Sequence, residues 1–387
     1  MKHLFLTFTS LFLLTTLQAV ETATNATDSW ATGISSGLVK AFCVDFNWAP
    51  PWAPGRENGF AKPGLWADAD PLKHVAWYEA LGCNVIQTFA VSGNGYAWYK
   101  GGVVPEQPGL AHDFLPEMVK LGHAKKMLVL GYFCASSNTR WGEEHPTLSY
   151  GTRTSHHLPF TDEYLDYLST AIEDALRKTG MDGFMIDWVW NPTEASRQKA
   201  TGGKWIEAEK KLFTQLMGKP FPGETALTPE DKLAYERKAI DHCWARIHAA
   251  AKHTNPNCII WLSCDNPRSP ALINSTMLKE VDWIMDEQGN PKAMKDTAAM
   301  FGPQTKQMLC LVGWHDVNKT LEVLSDPASA GYSFYGYYGR PDLSSLPLPI
   351  ATYLSRPIDS FRDNDRGVAT LARYFTHKPF DYVFQGK

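Results

Sequence analysis

Residues 182–192, DGFMIDWVWNP, read as one buried strand that delivers a carboxylate to its carboxyl end. Gly183 opens a short apolar run, Phe184 to Ile186, which stops abruptly at Asp187 and gives way to Trp188, Trp190, Asn191 and Pro192. Continuous apolar runs bounded by turn residues suit strands covered on both faces, as in a parallel sheet. Asp187 is therefore the first candidate catalytic residue. It needs a scaffold and a second group.

Working outward, similar runs occur at 41–46, 84–90, 127–134, 258–264, 281–286, 308–313 and 332–337, which with 183–187 makes eight. Helix signals separate them. Asp70-Pro71 opens a helix that Gly82 closes; Thr161, Asp162 and Glu163 open another that stops at Gly180 after Arg177 and Lys178. Thr228-Pro229-Glu230-Asp231 opens a third with acids where the helix dipole favours them, and Ser269-Pro270 and Asn290-Pro291 open two more, the second ending near Gly302. Alternating buried strands and amphipathic helices imply parallel pairing, and eight units imply closure into a (β/α)8 TIM barrel. An open doubly wound sheet would place a glycine-rich phosphate loop after its first strand; here that position reads NWAPPWAPG.

The expected organisation is a signal peptide at 1–19, a flexible lead-in at 20–39, and a single barrel domain over 40–387 with an inserted helical excursion or lid around 193–226. The first segment has a basic start, an interrupted apolar run and small residues near Ala19, the pattern of a secretory signal. Export to the periplasm or the medium is expected, with no membrane span, since no later segment is long and apolar enough to cross a bilayer. The chain of 387 residues has 20% charged and 44% hydrophobic residues and a net charge of -4, so it offers a sizeable core and no basic footprint for nucleic acid. Its 14 Trp, 15 Tyr and 19 Phe fit core packing and also the flat faces on which sugar rings stack. The seven cysteines form no metal-type spacing and sit in strand-like runs; they read as buried thiols, with at most one disulfide. Nothing points to a metal or a cofactor, and the oligomeric state is not legible.

A barrel carries its chemistry at the carboxyl ends of its strands. Those ends supply Asp45, Asn47 and Trp48; Gln87; Asn138 and Trp141, with His156 and His157 in the same long loop; Asp187, Trp188 and Trp190; Asp265; Asp286 and Glu287; Trp314 and His315; and Tyr337. Carboxylates, amides and aromatics, without a metal cage or a nucleophilic serine, suit glycoside cleavage. In that reaction one carboxylate stabilises or captures an oxocarbenium-like centre while a second carboxyl protonates the leaving oxygen. Asp187 is the expected nucleophile. Glu287 is the expected general acid, raised by burial near Trp283 and Met285, with Asp286 and Asp265 as competitors. Since neighbouring side chains alternate, only one of Asp286 and Glu287 faces the site. The remaining residues other than Asp45, which is read only as a strand end, are expected to bind substrate, Trp141, Trp190 and Trp314 as exposed stacking platforms. Trp261 and Trp283 are expected in the core.

The run EYLDYLSTAIEDALRKTGMDGFMIDW resembles the fourth unit of the α-L-fucosidases of glycoside hydrolase family 29, and MLVLGYFC is similar to that family's third strand. The resemblance spans mainly 115–190. It implies a (β/α)8 fold, a retaining mechanism with Asp187 as nucleophile, and, through VDWIMDEQ, Glu287 as the second carboxyl. Two features depart from the family. Its paired histidines after strand two are replaced by QTFAVSGNGYAW, and the roughly 50 residues after strand eight are too few for a β-sandwich of ~100 residues. An endo-acting enzyme on a fucose-containing polysaccharide, sulfated or not, fits these departures. Barrels of the α-galactosidase clan share the strand-four and strand-six acids and would make Asp286 the acid. A barrel that binds carbohydrate without cleaving it is the remaining alternative.

Overall fold

The computed structural model describes residues 30–34, 36–48, 59–151, 156–311, 316–325, 333–339 and 346–378. Eight parallel strands close on themselves as a (β/α)8 barrel: β1 (Lys40–Asp45), β2 (Val85–Gln87), β3 (Leu128–Cys134), β4 (Gly183–Asp187), β5 (Ile259–Cys264), β6 (Trp283–Asp286), β7 (Lys306–Cys310) and β8 (Ser333–Gly339). Each strand pairs with the next in the chain. β8 closes the ring against β1, from Lys40 opposite Phe334 to Asp45 opposite Gly339. The expected signal peptide, most of the lead-in, the NWAPPWAPG loop beyond Trp48, Trp314 and His315 lie outside the described residues, as does the side chain of His156.

The helices follow the caps written in the sequence. α1 (Pro71–Leu81) starts at Asp70, whose side chain accepts the N–H groups of Leu72 and Lys73, and ends at left-handed Gly82. After α2 (Phe114–Ala124), α3 (Asp162–Thr179) is capped by Thr161 and ends at Gly180, with Arg177 and Lys178 in its last turn. α4 (Glu194–Thr201) and α5 (Glu207–Met217) form the insertion behind β4. They are pinned by a fully buried pair in which Arg197 donates to Glu209, whose carboxylate also accepts the hydroxyls of Tyr150 and Tyr235. α6 (Pro229–Thr254) is capped by Thr228 and lies along α3. α7 (Asp363–Thr376) returns the chain to the barrel mouth after β8. One expected start is displaced. Ser269-Pro270 begins turns only, and the helix waits for Thr276 with Ser275 as its cap, because Asn274 adopts a left-handed conformation (φ 66°) that no helix continues through.

The interior is a packed core. Trp261 is fully buried, with its ring edge-on to Tyr335 at 5.1 Å and near Trp283 at 5.8 Å, as expected of these tryptophans. All seven cysteines are buried as free thiols. β4 and β5 approach so closely at Gly183 that a Cβ there would lie 2.0 Å from the Ile259 carbonyl oxygen, which is why the key strand must begin with glycine.

Candidate active site

The two-residue alternation of a strand decides which side chains look into the barrel. Met185 and Asp187 of β4, Ser263 of β5, Met285 of β6 with Glu287 just beyond it, and Tyr132 of β3 line one cavity of about 970 Å³ at the carboxyl ends of the strands. Asp45, Gln87, Cys310, Tyr335 and Tyr337 complete its inner surface. That volume holds a saccharide of more than one ring.

Asp187 lies at the end of β4, where the chain turns sharply. Trp188 takes φ 54°, a left-handed conformation that costs a bulky residue of order 1–3 kcal/mol and that its surroundings must hold. Here it is held by the Trp188 carbonyl accepting the Ser136 N–H, and by ring contacts with Phe60, Trp48, His157 and Trp190. The turn aims the Trp188 N–H at Asp187 Oδ1 (2.8 Å), while the Tyr132 hydroxyl donates to Oδ2 (2.9 Å). Burial and the nearby charge of Glu287 push the Asp187 carboxyl up to about 7, against the pull of those two donors.

Glu287 accepts the Ser263 hydroxyl at 2.6 Å. Burial raises its carboxyl, and the charges of Asp265 and Asp286 raise it further. Asp45, at the end of β1, accepts the Asn47 N–H at 2.7 Å and is pushed up to about 6 by burial. Each carboxyl has two further acids acting on it, Glu287 and Asp45 on Asp187, Asp265 and Asp286 on Glu287, while Asp187 has two donors and Glu287 one. Both are raised, and a pair of carboxyls that shares protons in one cavity has the acid and base forms that glycoside cleavage uses.

The other expected residues divide clearly. Asn47, Trp48, Gln87, Trp188, Trp190 and Tyr337 line the cavity, with Trp48, Trp188 and Trp190 forming an aromatic wall. His157 stacks on Trp188 (5.4 Å, 16°) from behind that lining. Asp286 is buried on the opposite side of β6, where its carboxylate accepts the Gln288 N–H, so strand alternation leaves the cavity to Glu287. Asp265 is exposed beyond β5 and takes the Gln288 side chain instead of lining the cavity. Asn138 is used up locally, capping the short helix Thr139–Glu144 through the Trp141 N–H. Trp141, expected as an exposed platform, is buried and stacked on His145 at 4.0 Å. Sequence reasoning missed Tyr132 and the start of α7, where Arg362, Asp363, Asn364 and Asp365 form part of the rim. Tyr132 was open to prediction from the inward positions of its strand; α7 was not. None of the lining residues comes from the 193–226 insertion, which therefore supports the site from outside. Among the described residues no group of three or more His, Cys, Asp or Glu could hold a metal ion.

A parallel barrel with paired acids and an aromatic wall at its mouth defines a carbohydrate-processing class of site. The model of the family described as hypothetical glycosyl hydrolase 6 matches residues 70–188, from just before α1 through Asp187, and supports a glycoside hydrolase-like function. Among solved structures, α-L-fucosidase isoenzyme 2 from Paenibacillus thiaminolyticus is similar with a TM-score of 0.60 and 13% identity, over 88% of this chain and 49% of that one. The PgaB (BpsB) glycoside hydrolase domain from Bordetella bronchiseptica is similar with a TM-score of 0.52 and 13% identity, over 79% of this chain and 97% of that one. The chain spans about half the length of the fucosidase structure it resembles. At these identities the likeness is one of fold. No curated protein matches the sequence.

Proposed function

We propose that the protein is an exported, retaining glycoside hydrolase acting on a fucose-containing polysaccharide or oligosaccharide. The observation that carries this reading is the meeting of Asp187 and Glu287 in one desolvated, aromatic-walled cavity, each held by a hydroxyl donor. Asp187 attacks the anomeric carbon and forms a glycosyl ester as the glycosidic bond breaks. Glu287 gives its proton to the departing oxygen, then takes one from the water that hydrolyses the ester. The Tyr132 hydroxyl and the Trp188 N–H keep Asp187 oriented and favour its anionic form.

The choice of sugar is supported by the resemblance of DGFMIDW and MLVLGYFC to family 29 and by the fold shared with a fucosidase. Endo action is supported by the wall of Trp48, Trp188 and Trp190, which extends beyond the room needed by one ring. Export is supported by the signal-like segment at 1–19. The test is incubation with fucans and other polysaccharides, following product size and, by NMR, the anomer released first. Oligosaccharides of retained configuration are expected. An inverted first product would remove the nucleophilic role of Asp187, and monosaccharide alone would replace endo with exo action.

A further inference from the structure

The charge balance of the cavity bears on which sugar can enter it, a step that rests on the hydrolase reading above. Among the described lining residues the acids are Asp45, Asp187, Glu287, Asp363 and Asp365, and Arg362 is the one base. Arg362 and Asp363 are exposed at the start of α7, and Asp365 is engaged by the hydroxyls of Tyr338 and Tyr353. Among the described residues the inner surface is thus left with three acids and no compensating cation. Tyr132, Tyr335 and Cys310, which share it, are held neutral by burial.

Asp45 has no part in the two-carboxyl reaction as drawn. It closes β1 on the inner surface, its Oδ1 is fixed by the Asn47 N–H, and its charge acts on both Asp187 and Tyr132. No cation among the described residues acts on it, and its two protein donors, the Asn47 N–H and the Trp48 side chain, leave acceptor lone pairs free for a ligand. Two neighbouring sugar hydroxyls supply donors to a carboxylate without adding charge. A sulfate or uronate group in the same place would set another anion against three acids where water screens little.

We propose that Asp45 grips a hydroxyl pair of the sugar whose bond is cut, and that this sugar is uncharged. Anionic groups elsewhere on a polymer are then tolerated only at the rim beside Arg362. In this role Asp45 is a positioning residue.

The test uses a pool of native sulfated fucan oligosaccharides and the same pool chemically desulfated. Hydrolysis is followed with the wild-type protein, and binding by tryptophan fluorescence with the wild-type and Asp187→Asn proteins. The desulfated pool is expected to bind and to be cut about tenfold better or more. Asp45→Asn should raise KM for the desulfated pool about tenfold, change kcat less, and narrow the discrimination between pools. Wild-type binding of the sulfated pool should improve as pH falls from 8 to 5, as the inner acids take up protons. A preference for the sulfated pool, an Asp45→Asn protein with unchanged KM and discrimination, or binding of neither pool overturns the proposal. Should Asp45→Asn fail to fold, the pH series decides, and a pool ratio that stays flat overturns it. Binding of the desulfated pool without hydrolysis by the wild-type protein would instead overturn the hydrolase reading and leave the role of Asp45 standing.

Discussion

Asp182 and Asp187 flank the same strand, one just before the first residue of β4 and one at its last. Asp182 is satisfied on every side: its carboxylate accepts the Val129 N–H at the start of β3 (2.7 Å) and meets His123 of α2 at 2.9 Å. The arrangement is repeated two strands on. Asp282, before β6, accepts the Ile260 N–H of β5 (2.8 Å) and pairs with Lys252 of α6 (2.8 Å). Each of these acids ties a strand to its neighbour and to a helix. At the other end of β4, Asp187 has hydroxyl and amide donors, no cation among the described residues, and another acid near by; burial and that neighbour raise it to about 7. The amino end of the barrel uses carboxylates to hold the fold, whereas the carboxyl end keeps them at a cost for a ligand to satisfy.

The comparison is open to attack at both ends. Glu287→Gln should produce the largest change of these tests, a fall in kcat of roughly 10²–10⁴ on a natural glycan, checked by initial rates. The loss should shrink on an aryl glycoside whose leaving group needs no proton; an equal loss on both would deny Glu287 the role of acid. Asp182→Ala should do the reverse. It strands the Val129 N–H and the His123 partner, which costs about 1–3 kcal/mol. Melting should drop by about 2–6 °C while kcat stays within a factor of two or so. A large loss of turnover with little loss of stability would erase the distinction between the two ends. Trp190→Ala removes the outer ring of the aromatic wall, stacked 5.9 Å from Trp188, and should raise KM about fivefold with kcat little changed.

The smallest effect concerns His123. The hydrogen bond to Asp182 raises its pKa, so the pair adds stability in full below the unfolded value of about 6.5 and loses it as pH rises through the folded value. His123→Gln should therefore lower the melting temperature at pH 5.5 by an amount worth about 1 kcal/mol or less, and by little at pH 9. A penalty equal at both pH values would show that the proton contributes nothing.

Much of this contrast was legible in the residues. Eight strands were visible because barrel strands are covered on both faces and read as unbroken apolar runs between turn residues. Asp187 was visible because the run through Ile186 ends on an acid. The choice between Asp286 and Glu287 needed the register, which the closed barrel supplies and a single run does not. Trp141 and Asn138 were misread for a shared reason: a loop position in the sequence does not reveal that a six-residue helix will bury one and consume the other as its cap. The rim formed by residues 362–365 was illegible because it arrives from α7, far along the chain, through a return that no local pattern announces. Asp45 was visible as a strand end, but its lack of a cation among the described residues is a fact about space.

The most direct test follows the rate and the melting temperature of one variant, Asp187→Asn. Asp187 is raised in the folded state, so its ionisation costs stability: little is lost near pH 4, and the loss grows as pH rises to about 7 and then levels off. Removing the charge should abolish turnover by about a thousandfold or more while raising the melting temperature at pH 8 by about 2–4 °C and leaving it unchanged near pH 4. Retained hydrolysis, or lost hydrolysis accompanied by a lower melting temperature at pH 8, would contradict the account.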